Sequence, residues 1–384
     1  MPFAAALSRH PETASAIGEV LGEVIDRLGS APDLAVLFAS ASHIPALDAA
    51  AATVQTLLDP NAFIGCSASG VVGGAEGIEH GPSVALWAGR WSSAGTLAPA
   101  HVRALPVGAG AGPAGAGWTF EGLPDGSPET LLMLADPYTF PVDAFHQELV
   151  RSGSATRVIG GLASAGRAAG DNRLIIGGRV ARQGAVAVGL PAGAVSRIVV
   201  SQGCRPIGRP FTVTRSERNF LLELAGRPAL QQLTELLGEL DDDDRRLAAQ
   251  GLHCGIVVNE SKLDFDRGDF LIRGVLGADR NHQAVAVGDF VPVGATVQFQ
   301  VRDSLSAGED LDALLGDADE DAALLFTCNG RGAGMFGDSH HDAQRVSDRV
   351  GRAVAGLFCA GELGPIGSRN ALHGFTASVA LFVD

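Results

Sequence analysis

The residues best suited to chemistry in this sequence follow an apolar run near the carboxyl end of the chain. The segment Asn329-Gly330-Arg331-Gly332-Ala333-Gly334 comes directly after the strand-like run Ala323 to Phe326. Consecutive glycines can turn several backbone N–H groups towards an anion, and strand ends are where α/β proteins usually bind ligands. Arg331 could add a bidentate carboxylate contact, while Glu362, at the end of the next predicted strand, could meet an ammonium group. The pattern predicts a zwitterion site, as for an amino acid, unless Arg331 and Glu362 simply pair with each other.

Three similar glycine-containing turns follow predicted strands at separate places in the chain. They share the pattern G-x-x-[small]-[small]-G and occupy positions 65–70, 161–166 and 356–361. Small residues let one backbone approach another, or a ligand, closely, so we expect the turns to converge either around a ligand or in tight packing between repeats. The turns and the glycine-rich segment together give the candidate ligand-binding residues: Cys66, Ser67, Ser69, Gly70, Ser164, Gly166, Cys328, Asn329, Gly330, Arg331, Gly332, Phe336, Cys359, Gly361, Glu362 and His373.

A dinucleotide site is one alternative for the glycine-rich segment. Residues 332–337 read G-x-G-x-x-G after a strand, with Glu362 near where a ribose-binding acid would fall. The predicted helix, however, begins only near Asp342, too far from the glycines for its N-terminus to hold a pyrophosphate. We therefore predict no cofactor.

Cysteine or metal chemistry is the second alternative. Cys328 or Cys66 could be a nucleophile activated by a histidine, yet no spacing fixes such a pair, and buried cysteines are more often inert. The candidate histidines are His340, His341 and His373. The run His340-His341-Asp342 beside Cys359 could also ligate a metal, but adjacent histidines point in different directions. A polar loop that caps the next helix through Asp342 is the interpretation that we favour, and the sequence favours a protein that is not an enzyme.

The elements that must position these residues form an internal repeat. Each of three units reads strand, loop, helix, strand, glycine-containing turn, strand. The predicted helices are 49–58, 141–151 and 342–353, and an amphipathic helix begins near Pro11. Between the second and third units lies a different region, with a hairpin over 211–224, a helix from Pro228, the acidic run 241–244, four strands and a helix over 309–315. The Gly/Ala-rich segment 108–117 is predicted to be a loop.

These elements predict an α/β (mixed α+β) protein of repeated β-α-β-β units forming two associated domains. We expect an N-terminal helix in residues 1–30, an N-terminal domain of two repeat units in residues 31–215, and a C-terminal domain in residues 216–384 with the third unit plus the different region. The spatial arrangement of the three units stays open at this stage.

Composition excludes several partners. The 384 residues carry a net charge of −15 with no basic cluster, so we expect no nucleic-acid partner. Lys262 is the only lysine, which leaves almost no place for a Schiff base or for repeated Ser-Lys dyads. The five widely spaced cysteines fit reduced thiols in a cytoplasm, and the absence of an apolar run of about 18 residues predicts no membrane span.

The C-terminal motifs resemble those of a known family. Residues 324–332, then Phe336-Gly337 and residues 356–365, are similar to the FIST C-terminal domain, with further support from residues 294–299 and 373–376. The turn at 65–70 and its preceding βα unit look like the FIST N-terminal domain. The resemblance covers nearly the whole chain.

This resemblance implies a small-ligand sensory protein. Bacterial FIST modules are associated with signal transduction and are sometimes fused to output domains, whereas eukaryotic ones occur in F-box proteins. The chain shows neither kind of segment, so we expect a separate signalling partner protein. The resemblance alone supplies the ligand class, an amino acid or small carboxylate. A ligand-free protein-interaction scaffold is the remaining alternative, and it predicts an exposed apolar patch instead of a lined pocket.

Overall fold

The computed structural model describes residues 2–92, 95, 97–107, 117–124, 126–262, 264–317 and 319–384. Residues 108–116 of the predicted Gly/Ala loop lie outside this set. The strands of the described residues are β1 (Phe3–Ser8), β2 (Leu34–Ser40), β3 (Ala62–Ala68), β4 (Val71–Gly73), β5 (Glu76–Ile78), β6 (Val84–Gly89), β7 (Pro99–Val107), β8 (Gly117–Glu121), β9 (Thr130–Ala135), β10 (Arg157–Leu162), β11 (Leu174–Ile176), β12 (Arg179–Ala181), β13 (Ala185–Leu190), β14 (Val195–Gln202), β15 (Cys204–Pro206), β16 (Phe211–Glu217), β17 (Phe220–Leu224), β18 (Arg227–Pro228), β19 (Leu252–Val257), β20 (Phe270–Asp279), β21 (Ala284–Val287), β22 (Thr296–Arg302), β23 (Ala322–Cys328), β24 (Val354–Cys359), β25 (Glu362–Ile366), β26 (Arg369–His373) and β27 (Thr376–Phe382). The α-helices there are α1 (Thr13–Leu28), α2 (Leu47–Leu58), α3 (Val142–Arg151), α4 (Ala229–Glu239), α5 (Asp242–Gln250), α6 (Ser304–Leu315), α7 (Ala333–Phe336) and α8 (His341–Val350).

The mixed α/β class expected from the sequence is confirmed, and so is the repeat. Each unit has two parallel strands joined by a helix and a third strand antiparallel to the first: β2, β3 and β6; β9, β10 and β13; β23, β24 and β27. Parallel strands need a crossover connection, and α2, α3 and α8 provide it.

A β-hairpin from each unit completes the sheet of a different unit. The hairpin β4–β5 of the first unit pairs with β24 of the third, β11–β12 of the second pairs with β3 of the first, and β25–β26 of the third pairs with β10 of the second. The first unit gives its hairpin to the third, the third to the second and the second to the first. The three units, each with its own sheet, are therefore arranged around a pseudo-threefold axis.

The three exchanged hairpins share one turn. Each is closed by two residues, and the first is a glycine with a positive φ: 56° at Gly74, 56° at Gly177 and 57° at Gly367. A type II′ turn needs glycine at this position, and its twist matches that of the flanking strands. Sequence analysis missed all three hairpins, although each carries this signal.

The inner faces of the three unit sheets pack into one core. Phe38 of the first unit meets Phe326 of the third edge-on at 6.3 Å between ring centroids, and Trp87 packs on Phe382 at 4.9 Å. The Trp87 indole N–H also donates to the Ala353 carbonyl at 3.2 Å. The helices cover the outer faces, with α1 and α2 on the first unit, α3 on the second, and α6 and α8 on the third.

One glycine per unit lies against the neighbouring parallel strand. A Cβ on Gly65, Gly160 or Gly356 would stand 2.2, 1.8 or 1.8 Å from a carbonyl oxygen of that strand. No side chain fits there without moving the backbone, so the fold itself requires these glycines. In the second unit this glycine is Gly160. The G-x-x-[small]-[small]-G pattern of that unit begins one residue later, at Gly161.

The different region forms a barrel inserted between β14 and α6. Strands β22, β16, β17, β21, β20 and β19 pair in that order, and β19 also pairs with β22 to close the ring. Gly203 and Asp303 join the barrel to the third unit, and the Asp303 N–H donates to the Gly203 carbonyl at 3.2 Å. Across the described part of the chain, no helix is long and apolar enough to cross a membrane.

Candidate functional site

The three glycine turns converge, as the sequence predicts. The Ser164 hydroxyl accepts a hydrogen bond from the Ser69 N–H at 2.8 Å and donates to the Phe358 carbonyl. The Phe358 N–H in turn donates to the Gly70 carbonyl at 3.0 Å, and the Leu162 N–H donates to the Gly361 carbonyl at 2.8 Å. Each turn thus binds the other two through its backbone.

The turns meet in close packing. A Cβ on Gly70 would lie 2.5 Å from the Ile78 carbonyl oxygen, and one on Gly361 would lie 2.8 Å from the Leu372 side chain. Cys66, on β3, and Cys359, on β24, are fully buried below the turns. The geometry at these glycines favours the packing interpretation, because backbone and side chains already fill the space that a ligand would need.

Two turn residues, Ser67 and Gly166, bind the loop between β10 and β11. The hydroxyl oxygen of buried Ser67 accepts from the Arg173 N–H at 2.9 Å. The Gly166 N–H donates to Asn172 Oδ1 at 2.7 Å, and Asn172 Nδ2 donates to Asp136 Oδ1 at 2.9 Å. These contacts hold the loop between β10 and β11.

Arg331 lies in the interior, and its partner is not Glu362. Its Nε and Nη2 donate to the two carboxylate oxygens of Asp342 at 2.8 and 2.9 Å, and the Thr327 hydroxyl also donates to Asp342 at 2.6 Å. Burial alone would raise the pKa of Asp342, but the charge and hydrogen bonds of Arg331 outweigh burial and hold that pKa well below its usual range. Arg331 thus makes the expected bidentate carboxylate contact, but with Asp342 of the same chain and not with a ligand.

Two expectations about this segment are corrected. Asp342 does not cap its helix: it lies in the first turn of α8, and its carboxylate binds Arg331 instead. The glycine-rich loop does turn an N–H towards an anion, but the anion is Glu79 of the first unit, which accepts from the Ala333 N–H at 2.7 Å. A Cβ on Gly332 would collide with the same carboxylate, at 2.0 Å. Glu79 thus occupies the position that a phosphate would take in the dinucleotide alternative.

Phe336 and Asn329 flank this segment on its outer side. Phe336 stacks on the His341 ring at 3.5 Å between centroids and lies 5.2 Å from the Arg331 guanidinium carbon. Asn329 is exposed, and its N–H donates to the Cys359 carbonyl at 2.9 Å. These contacts fix both ends of the loop around Arg331.

Glu362 is fully buried at the start of β25. Its Oε2 accepts from the Thr376 N–H at 3.2 Å and from the Thr376 hydroxyl at 2.8 Å. Burial raises the pKa of Glu362 to about 8, although the hydrogen bonds from Thr376 and the charge of Arg331 oppose the shift. The Glu362 carboxyl group is therefore protonated at neutral pH.

Four buried polar atoms around these residues have no hydrogen-bond partner in the described structure: Arg331 Nη1, Glu362 Oε1, Gln202 Oε1 and Ser378 Oγ. Gln202 on β14 pairs with Thr376 on β27, which binds Glu362, and Ser378 lies two residues further along the same face of β27. The charge of Arg331 acts on Glu362. We call Gln202, Arg331, Glu362 and Ser378 the buried polar cluster. Unpartnered buried polar atoms are rare in folded proteins, and each costs about 1–3 kcal/mol.

Phe375, one residue before Thr376, contacts the barrel beside this cluster. Its φ is +60°, an uncommon conformation for an aromatic residue, and its ring packs edge-on against His253 of the barrel at 4.5 Å. The ring also lies 5.3 Å from the Arg302 guanidinium carbon, and a Cβ on Gly330 would stand 3.1 Å from it. Sequence analysis missed Gln202, Ser378 and Phe375, since their roles depend on the pairing of distant strands.

The cysteines and His373 are not arranged for cysteine or metal chemistry in the described structure. All five cysteines are buried, and burial raises the pKa of Cys66, Cys328 and Cys359, so that these thiols stay protonated at neutral pH. His373 binds the Gly364 carbonyl through Nε2 at 3.1 Å, and burial lowers its pKa to about 4. Within the described ranges, no three potential metal ligands from His, Cys, Asp and Glu gather into a site.

The comparisons with known proteins agree with this architecture. A model of the FIST N domain matches residues 33–227, and a model of the FIST C domain matches residues 229–365. The chain belongs to the FIST family. FIST domains are generally small-ligand sensory domains of signalling proteins.

Two mycobacterial proteins are similar to this FIST chain over its length. The "Uncharacterized protein Rv0628c" of Mycobacterium tuberculosis is 42% identical over 392 residues, covering 100% of both chains. The "Uncharacterized protein Mb0898c" of Mycobacterium bovis is 43% identical over 383 residues, covering 97% of both chains. The similarity therefore extends through the three units and the barrel.

Proposed function

We propose that this FIST protein is a cytoplasmic sensor that binds a small zwitterion, an amino acid, at the buried polar cluster. The observation that carries the proposal is that Arg331 and Glu362, two buried groups of opposite type, each leave one polar atom without a partner. A bound amino acid would supply partners for both.

The cluster offers complementary groups to the two ends of an amino acid. Arg331 Nη1 and the Ser378 hydroxyl can donate to a carboxylate, whereas Gln202 Oε1 and, once Glu362 has released its proton, Glu362 Oε1 can accept from an ammonium. A ligand without one of these ends would leave buried groups unpaired, which is how polar sites reject analogues. A free amine or a simple carboxylate should therefore bind more weakly than the amino acid.

Phe375 gives the sensor a movable element. Because its backbone conformation is strained and its ring contacts the barrel through His253, rotation of Phe375 would open the cluster and alter the contact between barrel and third unit. We propose that this contact transmits ligand binding to a separate signalling partner.

A thermal-shift screen of the purified chain against the twenty amino acids, their amides and their decarboxylated amines tests the proposal. We expect one amino acid or a chemically related group to raise the melting temperature, since a ligand at 100 times its Kd stabilises by about 2.7 kcal/mol. Glu362→Gln should greatly reduce the shift, because the amide keeps the shape of the side chain but cannot supply the carboxylate charge that pairs with an ammonium.

Glu260→Gln is the matched control. Glu260 also accepts from a threonine N–H and hydroxyl, those of Thr296 at 2.7 and 2.7 Å, but on the exposed surface of the barrel. This variant should respond to the ligand like the wild type. A thermal shift as large in Glu362→Gln as in the wild type, or a chain indifferent to every amino acid, would contradict the proposal; indifference would favour the interaction-scaffold alternative.

A further inference from the structure

A separate open cleft lies where the second unit, the barrel and the β25–β26 hairpin meet. Its volume is about 640 Å³, and its walls come from α3, β19, β20 and β26. We call it the junction cleft. Pockets of about 300–1,000 Å³ are typical of small-molecule sites, especially between domains.

One arginine that lines the junction cleft makes no ion pair with any described residue. Arg273 donates to Asp289 at 2.7 Å and also lies near Asp143, so it serves both carboxylates. Arg151 pairs with Glu148 on its own helix. Arg369, at the start of β26, makes no ion pair with any described residue. The Arg369 guanidinium is therefore free to bind one anionic group of a ligand.

His146 adds an independent sign of a ligand. Its side chain lines the cleft, is only 6% exposed, and leaves both ring nitrogens without a hydrogen-bond partner in the described structure. A neutral imidazole has one N–H donor and one acceptor nitrogen to satisfy. A carboxylic acid or its anion can accept the N–H bond.

The remaining walls are mostly apolar. They are formed by side chains that include Val150, Val257, Leu271, Ile366 and Leu372. Burying a leucine-sized or phenyl group against such walls removes apolar surface from water and favours binding, whereas a purely ionic ligand would leave the walls in water. The walls thus favour a ligand with an apolar body.

A second cavity, of about 530 Å³ between the first and third units, has no buried unpartnered side chain like His146 among its described residues. Four of its charged side chains form ion pairs, Arg9 with Glu76 and Arg27 with Glu23, whereas Arg352 makes no ion pair with any described residue. The junction cleft is therefore the better candidate.

We propose that the junction cleft binds a small carboxylic acid with an apolar body, its carboxylate on Arg369 and its body against the β19, β20 and β26 side chains. This site goes beyond the proposed function, because Arg369 and His146 lie outside the buried polar cluster. The two sites can be tested separately.

Calorimetric titration of the full chain with 3-phenylpropanoate and 4-methylpentanoate, against the corresponding neutral amides, tests this site. We expect the acids to bind at least about tenfold more tightly than the amides, because only the acids form the charge-assisted bidentate contact with Arg369. Arg369→Gln should reduce acid binding to the level of the amide. Arg369 is exposed, so the variant should keep its fold.

Arg179 offers a matched control, because it opens β12 in the exchanged hairpin that corresponds to β25–β26. Residues 176–179 read Ile-Gly-Gly-Arg, and residues 366–369 read Ile-Gly-Ser-Arg. Arg179→Gln and Glu362→Gln should both bind the acids like the wild type. Equal affinity for acids and amides, unchanged binding in Arg369→Gln, loss of acid binding in Glu362→Gln, or no binding at millimolar concentration would each overturn the proposal.

Discussion

At the scale of single residues, Asp342 decides whether Arg331 can be buried. A guanidinium that is 1% exposed is tolerable only because a carboxylate neutralises it and accepts two of its hydrogen bonds. Glu362 makes no ion pair with any described residue and resolves the same problem by staying protonated. Arg331 is thus stabilised in the interior by an ion pair, and Glu362 by remaining neutral. Each mechanism can be tested separately.

Replacing Asp342 by asparagine should be strongly destabilising. The change leaves the Arg331 charge buried without a counter-charge, which typically costs about 3–5 kcal/mol. Urea unfolding at pH 7 measures the loss. Asp312→Asn is the control, since its ion pair with Arg345 is half-exposed and should contribute at most about 1 kcal/mol. Similar small losses in both variants would contradict the role assigned to Asp342.

Glu362 should make stability fall as pH rises. Its pKa is raised from 4.5 to about 8 in the folded chain, so between these values the folded state binds more protons than the unfolded state. The contribution is complete below about pH 4.5 and is lost as pH rises to about 8, at up to about 1.4 kcal/mol per pH unit. Glu362→Gln lacks this loss, so its stability relative to the wild type should grow from pH 5 to pH 8 in urea titrations. A constant difference would refute the raised pKa.

At the scale of elements, the sequence predicts the repeat well but not the way in which its units are joined. Helices α2, α3 and α8 and the strands that they connect follow from apolar periodicity, which is a local property. The exchange of β4–β5, β11–β12 and β25–β26 depends on pairings between residues some 100 to 300 positions apart, which periodicity does not encode. A hairpin turn reveals that a hairpin forms, but not which sheet it joins.

The glycine of the third unit's second strand allows a direct test at this scale. In Gly356→Ala the new Cβ would stand 1.8 Å from the Leu325 carbonyl oxygen, so two paired strands must separate. We expect destabilisation of about 3 kcal/mol or more in chemical unfolding. Gly22→Ala in α1 is the control: nothing lies within 4 Å of its Cβ, and the helix should gain about 0.5–1 kcal/mol. A tolerated Gly356→Ala would show that the strand spacing is not fixed there.

The candidate site shows the same limit of sequence reasoning. Arg331, Glu362 and the convergence of the turns were predictable, because each follows the end of a predicted strand. Their partners were not: Asp342 was expected to cap a helix, and Glu79 comes from a loop of another unit. Gln202 and Ser378 carry no motif and become neighbours only when β14 pairs with β27.

At the scale of the whole molecule, the three units form one folding unit and the barrel is an insertion. The first two units alone would lack the β25–β26 hairpin and the third side of the shared core. The barrel, in contrast, leaves and rejoins the third unit at adjacent residues, Gly203 and Asp303. The boundary between the two family models, near residue 228, therefore falls inside the barrel region and not between units.

Truncated chains test whether the three units depend on one another for folding and whether the barrel can be removed. Residues 1–203 alone should show no cooperative unfolding and poor NMR dispersion, because one third of the shared core is missing. A chain in which a short glycine-serine linker replaces residues 207–298 should keep a cooperative transition, since the linker joins neighbouring points. A well-folded 1–203 fragment would contradict the shared-core arrangement.

The measurement that tests the sensory account most directly is calorimetric titration of the amino acid found by screening, at pH 6, 7 and 8, on wild type, Glu362→Gln and Glu260→Gln. An ammonium beside Glu362 stabilises the carboxylate, so binding must release its proton, and affinity should rise by up to about tenfold per pH unit towards pH 8. The same dependence is expected for Glu260→Gln, and weak, pH-independent binding for Glu362→Gln. Equal affinity at all three pH values in the wild type, without proton release, would contradict binding at the buried polar cluster.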